Sequence, residues 1–201
     1  MNERFALEGP HVRLEPLTMA HANDLLAAAD EDRRTYEWTR TPEDAAGVVA
    51  YIEDAAADER ERRRIPFATW WKDARRVVGS TSFFPAWWGD GSGAPDVVEI
   101  GATFLAASAQ RTVVNTEAKY LMMVHAFEVW QVQRLSLKTD ARNERSRAAI
   151  ERLGARYDGT LRRDMPAYGP HGGPRDSAFF SILSDEWPAV KTRLATRLRA
   201  N

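Results

Sequence analysis

The chain has 201 residues, 44% of them hydrophobic, which is enough to bury one sizeable core, so a single domain over residues 1–201 is expected. Its 28 basic and 29 acidic residues leave a formal net charge of -1, which argues against general nucleic-acid binding, since that needs a basic surface to displace counterions. The absence of cysteine excludes disulfides, thiol nucleophiles and thiolate metal sites, and His11, His21 and His171 are too scattered for a metal site. The start Met1-Asn2-Glu3-Arg4 is polar, and no run of about 18 apolar residues occurs, so a soluble cytoplasmic protein without membrane partners is expected.

Residues 11–17 alternate apolar and polar side chains as a half-buried strand does, and Thr18 is placed to cap a short helix carrying Leu25 and Leu26. Thr41, Pro42, Glu43 and Asp44 read as an N-cap, a first-position proline and a first turn of acids, opening a helix with Ala45, Val49, Ile52 and Ala56 on one face. The run Arg60, Arg62, Arg63, Arg64 that follows reads as a solvated helix end. Residues 66–71 and 77–84 form a hairpin around the polar turn 72–75, followed by a Gly/Pro-rich loop over 85–96. Residues 97–105 make a strand that carries one charge, Glu99, between Val98 and Ile100. A helix over 116–130 has no charge between Lys119 and Glu128 and must be buried on most sides, with His125 as a satisfied core histidine. A strand at 135–139 and a helix at 143–153 ending on Gly154 come next. Strands at 156–162 and 177–183 follow, and Ser184 caps a last helix with Trp187, Val190, Leu194 and Leu198 in a stripe. The order β-α-α-β-β-β-α-β-α-β-β-α is an α+β (mixed α/β) domain, mostly antiparallel with one parallel β-α-β unit.

Ala109-Gln110-Arg111-Thr112-Val113-Val114-Asn115-Thr116-Glu117-Ala118-Lys119 resembles the acetyl-CoA loop of the RimJ/RimL-like GNAT acetyltransferases. The strings Arg134 to Ser146, Leu153-Gly154-Ala155, Gly159 to Arg162, Arg175-Asp176, Pro66-Phe67 and Glu99-Ile100-Gly101 extend the likeness over nearly the whole chain. A diphosphate needs several N–H donors converging at a helix start, and residues 110–116 lie between a strand and a buried helix. The resemblance implies acetyl-CoA as acyl donor, with the pantetheine arm beyond the strand holding Phe104 and Leu105. It also implies phosphates on Gln110, Arg111, Thr112, Val113, Val114, Asn115 and Thr116, with Asn115 as helix cap.

Acyl transfer to an amine requires a base, a polarised carbonyl and a proton for the thiolate. Glu99, on a strand face shared with Val97, Gly101 and Thr103, is the candidate base; its alternative is a structural carboxylate paired with an arginine. By resemblance Asn143 contacts the pantetheine arm and Ser146 donates a proton to the sulfur, while helix capping accounts equally for both. Glu37, Trp38, Trp87 and Trp88 are the candidate acceptor side, for a small-molecule amine or a protein N-terminus. No metal is required. The loops 168–174 and 85–96 suggest a homodimer. One position departs from the family: Val113 stands where glycine is usual, and a stiff β-branched residue disfavours positive φ. If Val113 takes a right-handed helical or β conformation, its amide still reaches a ligand; if it blocks the loop, a non-catalytic binding protein or an altered acyl donor follows.

Overall fold

The computed structural model describes residues 4–87, 94–168 and 172–200. One eight-stranded sheet runs in the order β1-β2-β3-β4-β5-β6-β8-β7. Its strands are β1 (Leu7–Glu8), β2 (Val12–Pro16), β3 (Ile65–Trp71), β4 (Arg76–Trp87), β5 (Val97–Leu105), β6 (Arg134–Asp140), β7 (Arg156–Pro166) and β8 (Pro174–Leu183). Five helices accompany them: α1 (Ala22–Asp30), α2 (Ala45–Arg60), α3 (Val113–Val124), α4 (Glu144–Leu153) and α5 (Trp187–Arg199). Every neighbouring strand pair is antiparallel except β5 and β6, as the element order predicted. Among the described residues no helix is long and apolar enough to cross a membrane.

Helices α1 and α2 cover one face of the sheet at β3 to β5, while α3 and α5 pack together on the other. Phe67, Phe83, Leu135, Phe180, Ile182, Met122 and Leu194 are buried within this core. Gly154 ends α4 at φ 105, a left-handed cap that favours glycine, and it packs against Val190 on α5, whose methyl carbons lie 3.1 Å from where a Cβ would sit.

Several local expectations shift. α2 is capped by Asp44, whose side chain accepts from Gly47 N at 2.7 Å, three residues beyond Thr41. Its buried face is therefore Val48, Ile52 and Ala55, and Val49 is 38% exposed. Arg64 is not solvated: it is buried, and its guanidinium donates to Ser82 Oγ and Tyr51 OH. The last helix starts after Glu186 rather than on a Ser184 cap. β4 extends to Trp87, into the expected loop; residues 88–93 and 169–171, which hold much of the two loops read as dimer contacts, lie outside the described residues.

The helix expected over 116–130 is α3 followed by a π-helical turn, His125–Val129. His125 stacks on Phe5 at 4.2 Å, with its Nε2 buried and lacking a hydrogen-bond partner, so it is a core histidine but not a satisfied one; burial lowers its pKa to about 4. Lys119, read as the edge of the buried stretch, is itself buried, and desolvation lowers its pKa from 10.5 to about 7. Between those two values the unfolded chain holds a proton that the native chain lacks, so stability rises with pH across this window and is level and lower below it. In Lys119→Met this rise is expected to vanish, so the wild-type denaturation midpoint should climb relative to that of the variant from pH 7 to 10; a constant difference over that range would exclude the linkage.

Candidate active site

β5 and β6 pair through only three residue pairs: Val97 with Arg134, Val98 with Leu135 and Glu99 with Ser136. Beyond these, β5 continues on β4 as far as Leu105, and β6 continues on β8 as far as Asp140. The two parallel strands thus part in the middle of the sheet. Alternate N–H and C=O groups on their facing edges lose a strand partner there, and a ligand with amides can replace it. α3 follows the end of β5 and α4 follows the end of β6, so two helix N-termini gather at the open end, where strand–helix folds bind anionic ligands.

The loop into α3 is tightly built. Thr112, not Asn115, is the cap: its hydroxyl donates to Ala109 O at 2.7 Å and accepts from Val114 N at 3.2 Å. The helix therefore begins at Val113, and Asn115 and Thr116 lie inside its first turn. Val113 does not take positive φ; the left-handed residue is Arg111, at φ 62. The steric objection to a β-branched residue disappears, because a first helical position accepts valine. A helix start leaves its first amides without intrahelical acceptors, and with Val114 N capped, those of Thr112, Val113 and Asn115 remain for an anion.

A bridge crosses the mouth of the gap. Gln110 Nε2 donates to Thr35 Oγ1 and to Leu105 O, both at 3.0 Å, and Arg145 Nη2 donates to Thr35 O at 2.5 Å from the first turn of α4. The buried Tyr36 hydroxyl lies 2.8 Å from Leu105 O and 3.0 Å from Ala28 O, and its proton serves one of them at a time. The Phe104 ring packs edge-on to Tyr36 and Tyr51. Next along the bridge, Glu37 is exposed, and the Trp38 ring lies under the Arg142 guanidinium at 4.6 Å. Trp87 closes β4 opposite Val97, and Trp88 lies outside the described residues. On α4, Asn143 Oδ1 accepts from Ser146 N at 2.9 Å, so the capping role is present, while the Ser146 hydroxyl has no hydrogen-bond partner among the described residues.

Glu99 stands where the strands part. It faces Phe84 across the ladder, on the α1/α2 side, and its Oε1 occupies the space above Gly101, where a Cβ would come within 3.1 Å. Its partner is Lys138 on β6, at 3.4 Å, not an arginine. Burial raises the Glu99 pKa above 4.5, Lys138 opposes that rise, and the Asp164 carboxylate adds to it. Thr103 does not share this face. A bulge with Ala102 at φ 46 inserts one residue between Gly101 and Phe104 and turns Thr103 to the α3 side, where it meets Lys119. Lys138 and Asp164 were missed in the sequence because they reach Glu99 only through strand order, which no local pattern encodes. Among the described residues no cluster of side chains suited to a metal occurs.

A family model described as "Acetyltransferase (GNAT) domain" matches residues 11–156. The chain belongs to the GNAT acetyltransferases, which are acyl-CoA-dependent enzymes. A GCN5-related N-acetyltransferase from Brucella melitensis is 31% identical, with 98% of this chain and 86% of that one covered and a TM-score of 0.84. RimJ of Mycobacterium smegmatis, solved in complex with CoA-disulfide, shares the fold at 22% identity over 96% of this chain and 93% of that one, with a TM-score of 0.77. The Bacillus subtilis (strain 168) protein YdaF, named as a ribosomal N-acetyltransferase, is 31% identical over 78 residues, which span 39% of this GNAT chain and 41% of that relative. These relatives agree with the RimJ/RimL-like character of the loop strings.

Because Val113 is helical, Val113→Gly is expected to leave acetyl-CoA affinity within about threefold, a glycine at a helix start altering stability by under about 1 kcal/mol. Titration calorimetry checks this, and a large gain in affinity would show that the valine side chain obstructs the site.

Proposed function

We propose that this chain transfers the acetyl group of acetyl-CoA directly to a primary amine, with Glu99 as general base. The carrying observation is the parted β5–β6 pair: its open end faces two helix N-termini, and a desolvated carboxylate stands at its fork. On this reading the amides of Arg111, Thr112, Val113 and Asn115 hold the diphosphate, and the free edge of β5 up to Phe104 and Leu105 lies along the pantetheine arm. The presence of CoA-disulfide in the RimJ structure supports this donor.

Glu99 takes a proton from the acceptor ammonium, and the freed amine attacks the thioester carbon. The C–S bond then breaks; the Ser146 hydroxyl, without a hydrogen-bond partner among the described residues, gives its proton to the departing thiolate and takes up the proton that the attacking nitrogen sheds as it becomes an amide. The acceptor would enter past Glu37, Trp38 and Trp87. Asp164 favours a cationic acceptor, because its Oδ2 is buried without a hydrogen-bond partner among the described residues and its charge is felt at Glu99. The ribosomal name of YdaF favours a protein N-terminus over a small-molecule amine.

Glu99→Gln is expected to lower kcat by about a hundredfold or more while acetyl-CoA affinity holds, since general-base catalysis is worth that much. In the wild type the acid limb of kcat/KM should fall above pH 4.5, because burial raises the Glu99 pKa. Lys138→Met removes the cation that stabilises the carboxylate, so the limb should move to still higher pH. An unchanged limb in Glu99→Gln would exclude Glu99 as the base.

A further inference from the structure

Lys119 has a place in the fold that packing does not explain. It is only 4% exposed, and no carboxylate among the described residues lies within ion-pair distance of it. Its Nζ donates to Thr81 Oγ1 at 2.8 Å and to Thr103 Oγ1 at 2.6 Å, and these two hydroxyls are 2.8 Å from each other. An apolar side chain of similar length would fill the helix–sheet contact without desolvating an amine.

The two threonines mark the bulge. Ser80 pairs with Phe104 and Ser82 with Gly101, so Thr81 stands opposite both Ala102 and Thr103. Ala102 sits at φ 46, a conformation an alanine reaches only when its surroundings impose it. The bulge lies in the part of β5 that has left β6, where the backbone edge is open.

We propose that Lys119 is a positioning residue for the acyl donor, tying α3 through Thr103 to the left-handed bulge at Ala102 so that the helix N-terminus and the open edge of β5 keep one fixed relation. The first holds the diphosphate and the second the pantetheine amides, so this assignment rests on the acetyl-CoA reading above. Loss of the tie lets the two halves of the donor site drift apart while the rest of the sheet stays paired.

Two near-isosteric variants separate this role from mere stabilisation. Thr103→Val and Thr81→Val each delete one hydroxyl partner of Lys119, the first on β5 and the second on β4, but only Thr103 belongs to the bulged segment. With thermal unfolding measured on each, Thr103→Val is expected to weaken acetyl-CoA binding about tenfold, as loss of one hydrogen bond that leaves a buried donor short of a partner does. KM for the amine should stay near the wild-type value. Thr81→Val should bind acetyl-CoA like the wild type even though its melting temperature falls comparably, and Lys119→Met should follow Thr103→Val. Equal donor affinity in the two threonine variants, or wild-type affinity in Lys119→Met, would overturn the assignment. Failure of the wild type itself to bind acetyl-CoA would instead remove the transferase reading on which it stands.

Discussion

Parallel strands side by side in one sheet normally satisfy each other's backbone along their whole length, and β5 and β6 do so for only three pairs. Past Glu99 and Ser136 each keeps its outer neighbour, so the sheet stays intact while its centre opens. A buried peptide group without a partner costs roughly as much as a lost hydrogen bond, so such a gap persists where water or a ligand completes it. The bulge at Ala102, the cap at Thr112 and the bridge at Thr35 all border this one opening.

Electrostatics follow from the same opening. Helices that start where parallel strands end aim their uncompensated amides at the gap, which favours an anion. Glu99 sits deeper, at the fork, where solvent is scarce; Lys138 offsets part of the desolvation, and Asp164 adds to it. The balance leaves a carboxylate with raised proton affinity at the fork. On the opposite face, Lys119 is hydrogen-bonded only to the Thr81 and Thr103 hydroxyls, and burial lowers its pKa to about 7.

The residues proposed for the acceptor side are assembled differently. Glu37 and Trp38 come from the segment between α1 and α2, and Lys138 and Asp164 from β6 and β7. The proposed donor side is built from contiguous chain, 105–116 and 140–146, and is recognisable as strings. The acceptor side draws single residues from distant segments, so a sequence pattern carries little of it.

Local physics was sufficient for much of the molecule. Alternation and turn residues located the strands, helical spacing located α3 and α5, and a charge inside an apolar strand singled out Glu99. The family loop was legible because anion binding at a helix start needs a short contiguous stretch. Local pattern failed where competing local solutions were close in energy: Asp44 and Thr41 both qualify as caps, and the choice rotates the buried face from Val49 to Val48. It failed again at Ala102, since alternation cannot register an extra residue that only pairing with β4 reveals. The sequence by itself determined the order of the five helices and of every strand but β1, the family's loop strings and the candidate base. Tertiary structure decided that Val113 is helical, that Arg64 and Lys119 are buried, and that Lys138 and Asp164 flank Glu99, because those properties depend on which remote strands and helices become neighbours.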